Sequence, residues 1–287
     1  MTTHFRLGTR TLFTLLLMLL FSVAAGQAAQ AAETVNLGYV LWDSEIASTN
    51  VVAAVLEEKM GYDVNLISVD AGPMWAGIGR GDFDAIVAAW LPATHADQYE
   101  RVWKDVELLG PNLHGAKIGL VVPAYVTIDS IEELNAHRSR FGGRIVGIDP
   151  GAGLMRATDE AITVYNLNFH LQDGSDAAMT AELSRAIRRG DWIVVTGWTP
   201  HWKFAQFDLK YLEDPEGVFG GEEYIGTVVR KGLRDEMPEV YEFLDRFYWT
   251  ADDMATVMVY IREGMDEREA ALKWIEENPE RVDAWIP

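Results

Sequence analysis

The residues best suited to ligand chemistry in this 287-residue sequence are its tryptophans, ten in all. Two of them, Trp90 and Trp198, end a repeated pattern in which Arg-Gly-Asp precedes an apolar run and Trp-x-Pro. The first copy spans residues 80–92 and the second spans residues 189–200. Indole faces attract cations, so they can hold a quaternary ammonium, which has no N–H to donate. A sugar ring could also stack on Trp, so the aromatic residues alone leave the ligand class open.

The elements that must position these two residues follow from the same repeat. Each apolar run has the length and composition of a buried strand, and a helical pattern precedes it. The two copies lie about a hundred residues apart, the size of one small domain. Ligands bind beyond the carboxyl ends of strands in open parallel sheets. The repeat therefore predicts an α/β protein of two similar lobes, with Trp90 and Trp198 on opposite walls of one cleft.

The rest of the chain is consistent with two lobes joined by two crossings. A strand over Ala116–Pro123, after a Gly-Pro-Asn loop, leads into the second lobe, and a strand over Tyr224–Val229 returns. We therefore assign residues 32–115 and 225–287 to lobe I and residues 116–224 to lobe II. Near the start, a strand, a helix over residues 46–60 with its N-cap at residue 44, and a second strand are predicted to form a βαβ unit. A short helix is predicted over residues 130–136.

Residues 1–31 have the pattern of a cleaved signal peptide. Arg6 and Arg10 precede an apolar run over Leu12–Ala25, and Ala29-Gln30-Ala31 has the small-x-small form of a cleavage site. The run is short for a membrane span, so we expect removal rather than anchoring. There is no Cys, and hence neither a disulfide nor a site for a lipid anchor at the cleavage point. We expect a soluble, secreted protein that resides in the periplasm, with release from the cell as the alternative.

The charge of the chain excludes several classes of partner. The formal net charge is −20, and residues 1–31 contribute two Arg and no acid, so the remainder is more acidic still. A nucleic-acid-binding protein needs a basic face, and an anionic membrane would repel this surface.

No catalytic signature is present, so we expect no enzyme, no catalytic residue and no cofactor. There is no Gly-x-Ser-x-Gly and no P-loop, and Gly151-Ala152-Gly153 lacks the third Gly of a dinucleotide fingerprint. The six His are scattered without paired spacing and Cys is absent, which predicts no metal site. Acidic residues are numerous enough that a hydrolase with a carboxylate pair in the cleft stays as an alternative.

Several longer motifs resemble the glycine betaine substrate-binding proteins of ABC transporters, in the OpuAC-like family, and they cover essentially the whole mature chain. The motifs lie at residues 38–50, 89–95, 147–158, 196–202, 212–215 and 247–250. The resemblance implies a type II periplasmic-binding-protein fold that closes on its ligand, with three Trp around a trimethylammonium group. On this resemblance Trp90 and Trp198 are two of the three, and Trp249 is the third.

The resemblance also implies how the ligand carboxylate is held. The backbone N–H groups of Glu45 and Ile46 are expected to bind it, at the start of a helix whose dipole favours an anion. His201 either contacts the ligand or joins the hydrogen bonds of its own loop. Some relatives carry a His five residues after the third Trp, where this chain has Met254.

These observations predict a periplasmic, monomeric receptor for a betaine-type osmoprotectant. It would deliver the ligand to an ABC permease in the inner membrane without making or breaking a bond. Choline, carnitine, proline betaine, a sulfonium analogue and ectoine stay open as ligands, and a receptor of the same fold for a sugar is the second alternative.

Overall fold

Nine strands form one continuous sheet in the part of the chain that the structure, a computed structural model, describes: Met1 and residues 33–287. The predicted signal peptide, apart from Met1, lies outside the described residues. The strands are β1 Thr34–Tyr39, β2 Asp63–Ser68, β3 Ala85–Leu91, β4 Val106–Pro123, β5 Arg144–Val146, β6 His170–Gln172, β7 Val195–Thr199, β8 Leu209–Tyr211 and β9 Glu223–Arg230. Their order is β2-β1-β3-β9-β4-β7-β5-β6, with β8 paired to β4.

Helices cover this sheet and complete the predicted α/β alternation. They are α1 Asp43–Glu58, α2 Ala71–Arg80, α3 Ala96–Val102, α4 Gly153–Val164, α5 Asp176–Arg189, α6 Lys203–Gln206, α7 Leu233–Glu236, α8 Pro238–Arg246, α9 Ala251–Arg262, α10 Glu267–Glu277 and α11 Pro279–Asp283. None of the helices in the described ranges is long and apolar enough to span a bilayer. β3 is buried at all seven residues, which agrees with its unbroken apolar sequence.

The strand directions form two parallel groups joined by antiparallel strands. β2, β1 and β3 run parallel on one side, and β6, β5 and β7 run parallel on the other. Between them β9 is antiparallel to β3 and to β4, and β4 is antiparallel to β7. Four residues lie at or just beyond the carboxyl ends of β1, β3, β5 and β7: Trp42, Trp90, Ile148 and Trp198.

β4 is longer than the predicted strand over Ala116–Pro123, because it begins at Val106. The predicted Gly-Pro-Asn loop lies inside it, where the pairing with β9 shifts register at residues 108–110 and again at 111–113. Such bulges accommodate Pro111, which has no N–H to donate, and Gly110, whose φ of 116° suits glycine. Residues 106–116 pair with β9 and residues 117–121 with β7, so one strand serves both parallel groups.

Helix α1 also begins earlier than predicted. Its N-cap is Trp42 rather than Ser44, and the N–H groups of Glu45 and Ile46 both donate to the carbonyl oxygen of Trp42 at 2.9 Å. Asp43 and Glu45 lie in the first turn, where acidic side chains complement the helix dipole. The short helix predicted over residues 130–136 is instead two 3₁₀ segments, Ile131–Glu133 and Asn135–Phe141.

Candidate functional site

The carboxyl ends of the parallel strands meet at a small cavity. Trp90 is the penultimate residue of β3, and Trp198 is the penultimate residue of β7. Trp42 follows β1 and Ile148 follows β5. The lining residues are mostly aromatic or apolar: Trp42, Trp90, Thr94, His95, Ile118, Ile148, Ala152, Gly153, Leu154 and Trp198.

Three indoles, of Trp42, Trp90 and Trp198, dominate this cavity, and we call them the cavity trio. The rings of Trp42 and Trp198 are tilted by 55° with centroids 6.4 Å apart, and the ring of Trp42 stacks on His95 at 6.3 Å. None of the three side chains is more than 6% exposed, so the three rings are almost completely shielded from solvent. Trp90 and Trp198 therefore lie together, where the sequence repeat predicts them, and Trp42 is the third indole beside them.

Trp249, the third Trp on the sequence resemblance, lies elsewhere. It is fully buried among Phe247, Trp274 and Trp285, with its ring edge-on to Trp274 at 5.6 Å. The physical reason is that Trp249 precedes α9, which packs against α10 and α1, so its indole fills core. Met254, on the same helix, is buried as well and does not line the cavity.

Hydrogen bonds across the cavity fix two of the three rings. The indole N–H of Trp42 donates to Asp149 Oδ2 at 2.8 Å, and the indole N–H of Trp198 donates to Ser44 Oγ at 3.2 Å. Asp149 lies between β5 and α4, whereas Ser44 lies in the first turn of α1. Each bond therefore joins an element beside one parallel group to an element beside the other, and each satisfies a buried indole N–H.

His95 provides a polar group in the cavity. Its Nδ1 accepts the backbone N–H of Trp90 at 3.1 Å, which leaves the ring proton on Nε2. Nε2 is buried and has no hydrogen-bond partner among the described residues. Burial lowers the pKa of His95 to about 3, so the ring is neutral near pH 7. A neutral donor without a partner beside a cavity suits a ligand oxygen.

The loop that carries His95 is held from behind by Glu223, the first residue of β9. One carboxylate oxygen of Glu223 accepts the N–H groups of Ala93 and Thr94 at 2.8 and 2.7 Å, and the other bonds the Thr94 hydroxyl. On the opposite wall, a Cβ on Gly153 would overlap the carbonyl oxygen of Thr94. Glycine at the start of α4 therefore permits a close approach between the two walls.

The predicted carboxylate donors are engaged elsewhere. Because the N–H groups of Glu45 and Ile46 both donate to Trp42, they are not free to bind a ligand. The Glu45 side chain is buried, where Oε2 accepts the N–H of Val40 at 3.0 Å. Burial raises the pKa of Glu45 to about 8, so this carboxyl is mostly protonated near pH 7.

His201 joins the hydrogen bonds of its own loop and does not line the cavity. Its Nδ1 accepts the backbone N–H of Lys203 at 3.1 Å, and its Nε2 donates to Asp176 Oδ1 at 3.1 Å. Burial, together with the charge of Lys203, lowers the pKa of His201 to about 4. The buried side chains of His201, Asp176 and Lys203, with the partly exposed Asp43, form a group that we call the polar cluster.

The polar cluster does not suit a metal ion, although ligand atoms of Asp43, Asp176 and His201 lie within 4.8 Å of one another. The Nε2 of His201 carries the proton that Asp176 accepts, so it has no lone pair for a metal. Asp43 Oδ2 accepts the indole N–H of Trp202, and Asp176 Oδ2 accepts the N–H of Asp43. Lys203, fully buried beside them, already supplies a cation.

Comparison with known proteins identifies the family. Residues 33–277 match the model of the OpuAC family, the substrate-binding domain of an ABC-type glycine betaine transport system. The chain belongs to this family. The predicted resemblance is thus confirmed, and the family is one of binding domains rather than enzymes.

Individual relatives agree in fold and in part of the sequence. The chain is 53% identical over 144 residues to a glycine betaine/carnitine transport binding protein, GbuC, of Listeria monocytogenes, a match that covers 49% of this chain and 48% of that protein. It thus spans about half the length of that relative.

Two solved structures are similar over nearly the whole described chain. Lactococcal OpuAC, closed on glycine betaine, has a TM-score of 0.85 and 44% identity, and the match covers 89% of this chain and all of that one. A choline-binding protein of an ABC transporter, with choline bound, has a TM-score of 0.82 and 29% identity over 88% of this chain and 91% of that one. The predicted α/β type II binding-protein fold is confirmed.

Sequence reasoning missed Trp42 and His95 as cavity residues, although each carries a signal. Trp42 follows a predicted strand, as Trp90 and Trp198 end theirs. His95 comes five residues after Trp90, just after the turn that closes β3, so its ring can fold back on that strand. The family resemblance assigned the third Trp to Trp249 instead.

Proposed function

We propose that this protein is the substrate-binding component of an ABC importer and that its cavity binds glycine betaine or a related quaternary ammonium. The observation that carries the proposal is the cavity trio: three buried indoles border one small cavity. The cavity therefore suits a solute of few atoms.

The chemistry of the lining favours a cation without N–H groups. No carboxylate is among the residues that line the cavity, so the ligand's charge would be balanced by aromatic faces, each contributing roughly 0.5 to 2 kcal/mol. A sugar would need several hydrogen-bonding side chains, whereas the lining offers Thr94 and His95. A hydrolase would need a carboxylate pair at the cavity, and the lining has none.

A carboxylate at the other end of the ligand would be bound by His95 and by the start of α4. His95 would donate through Nε2, which is without a partner in the described chain. Gly153 and Leu154 line the cavity as the first residues of a 12-residue helix, where unpaired N–H groups and the helix dipole favour an anion. These residues replace the predicted donors at Glu45 and Ile46.

The proposed mechanism is a closure equilibrium between two lobes, residues 32–115 with 225–287 and residues 116–224. The ligand would contact Trp42 and Trp90 on one lobe and Trp198 on the other. It would favour the closed form by contacts that the open form lacks. The bonds of Trp42 to Asp149 and of Trp198 to Ser44 would form in the same step.

The proposal includes the cellular setting predicted from the sequence. The mature protein would be a periplasmic monomer, released by cleavage of the signal peptide. It would deliver its ligand to a permease in the inner membrane.

Intrinsic Trp fluorescence of the purified mature protein tests the proposal. Titration with glycine betaine, and separately with choline and ectoine, should give a saturable change with a quaternary ammonium, because the ligand would contact three indoles. Trp90→Ala should weaken betaine binding at least tenfold, with Trp90→Phe as the variant that keeps an aromatic face. No response to any of the three solutes, in protein shown by circular dichroism to be folded, would refute the ligand class.

A further inference from the structure

A buried lysine shares one indole of the cavity trio. Lys203, the first residue of α6, is 0% exposed, and its Nζ lies 4.0 Å from the centroid of the Trp198 ring. Lys203 is not among the residues that line the cavity. Trp198 therefore borders the cavity and also contacts an internal ammonium group. This is an unusual position for Lys, which is almost never fully buried unless it is paired.

The ammonium is directed at the ring rather than at an acid. Lys203 Nζ has no hydrogen-bond partner within the described chain, and no carboxylate there lies within 4.0 Å of it. Asp43 and Asp176 are the acids that act on its charge, but their oxygens accept N–H groups of other residues. The ring of Trp198, with its centroid 4.0 Å from Nζ, is thus an electron-rich group in contact with this cation.

Other charged groups around Lys203 do not remove its effect on the cavity. His201 beside it is neutral near pH 7, because burial lowers its pKa to about 4. Burial and the charge of Asp176 raise the pKa of Asp43 to about 6. From α9, Arg262 lies over the ring of Trp202, 4.5 Å from its centroid, and its positive charge acts on Asp43. The acids and cations around Trp198 therefore partly offset one another, and Lys203 is the cation in contact with the indole.

The Lys203 ammonium on the Trp198 ring weakens the binding of any second cation to the same ring. The attraction between a cation and an indole is electrostatic, so a ring already in contact with one cation attracts a second cation less strongly. The two charges also repel each other through a medium of low dielectric constant. A zwitterion regains part of the lost binding free energy, because its carboxylate is attracted to the same ammonium. A ligand with a net positive charge and no carboxylate has no such attraction.

We propose that Lys203 is a specificity determinant that favours zwitterionic betaines over net cationic ligands such as choline. The inference rests on the proposed function, since it presumes that the cavity trio holds a quaternary ammonium group. It goes beyond that function by assigning the discrimination to a residue outside the cavity. Glycine betaine and choline are suitable probes, because both carry a trimethylammonium group and only glycine betaine carries a carboxylate.

The test compares affinities for these two ligands by isothermal titration calorimetry. At about pH 6 the Lys203 ammonium is charged, because burial lowers its pKa only to about 7. Lys203→Met removes the charge and keeps an unbranched chain of similar length. We expect the choline-to-betaine affinity ratio to rise about fivefold, mainly through tighter choline binding.

Two further variants make the result interpretable. Lys203→Gln removes the same charge but keeps a polar end on the side chain near Asp43 and Asp176, so it should shift the ratio in the same direction even where the Met variant folds poorly. Lys273→Met is the matched control, because Lys273 also lies over an aromatic ring, Tyr260, at 3.7 Å but belongs to α10. It should leave the ratio unchanged.

The outcomes separate this inference from the proposed function. Binding of neither ligand by the folded wild-type protein would refute the proposed function itself. Binding of both ligands by the wild type, with the same affinity ratio in folded Lys203→Met or Lys203→Gln, would overturn only the role of Lys203. A shift of the ratio toward betaine would overturn it as well, because loss of a positive charge cannot favour the zwitterion by this mechanism.

Discussion

The molecule contains two groups of three tryptophans that have opposite structural roles. The cavity trio lies at or just beyond the ends of parallel strands and borders empty space. The second group, Trp249, Trp274 and Trp285, which we call the core trio, packs ring against ring: Trp274 stacks on Trp285 at 5.9 Å, and Trp249 meets Trp274 edge-on.

The comparison shows that burial does not distinguish a binding indole from a structural one. All six rings are at most 6% exposed. What differs is the surrounding geometry, because two indoles of the cavity trio, those of Trp42 and Trp198, are held by hydrogen bonds to opposite walls, whereas the rings of the core trio pack against one another. A binding site for an aromatic-held ligand requires rings that cannot collapse onto one another.

The largest expected effect is on the core trio. Trp249→Ala should lower the free energy of unfolding by roughly 3 to 5 kcal/mol, because it leaves a cavity in a packed cluster. The measurement is urea denaturation followed by circular dichroism. Trp249→Phe should lower the free energy of unfolding much less, since it keeps an aromatic ring and the indole N–H has no partner in the described structure. The betaine affinity of the folded Trp249→Phe protein should stay near that of the wild type. A tenfold loss of affinity would indicate that Trp249 contacts the ligand.

A substitution of Trp42 tests the binding role of the cavity trio. Trp42→Ala should weaken betaine binding at least tenfold, or about 1.4 kcal/mol, because it removes one of three aromatic faces and the bond to Asp149. Calorimetry would measure the loss, and Trp42→Phe should recover part of it. Unchanged affinity in folded Trp42→Ala would leave the cavity with two functional indoles.

The smallest expected effect concerns the polar end of the cavity. His95→Phe should reduce betaine affinity about threefold to tenfold, because it removes the one N–H donor proposed for the carboxylate from a side chain. Choline, which has no carboxylate, should be affected less. Separate titrations with both ligands check this difference. Equal losses for the two ligands would indicate that His95 only positions the loop after β3.

Much of the fold followed from sequence because its signals are local. The unbroken apolar run of β3 and the repeat that places Trp90 and Trp198 predict strands and their exposed ends without tertiary information. The first half of β4 did not follow, because Gly110 and Pro111 usually mark a loop, and only the bulged pairing with β9 makes them part of a strand.

The site was predictable only in part, because packing partners decide it. Trp249 has a helix start after it and a family motif around it, yet Trp274, distant in sequence, packs edge-on against it in the core. The N–H groups of Glu45 and Ile46 donate to Trp42 because α1 begins three residues before its predicted start. The burial of Lys203 had no signal in the sequence, where a Lys at the start of a short helix is normally solvated.

The pairing of β9 has a consequence for the order in which the protein folds. β5, β6, β7 and β8, with the second half of β4, are formed by one continuous stretch, residues 117–211. β3, by contrast, pairs with β9, which begins at Glu223, so the group that contains β1, β2 and β3 needs residues far along the chain. Contacts between distant residues form slowly because a long loop must close first. Because the chain is made from its amino terminus onward, residues 117–211 can complete their part of the sheet before β9 exists. β3 can pair with β9 only after that. The half that begins the sequence is therefore the last to be finished.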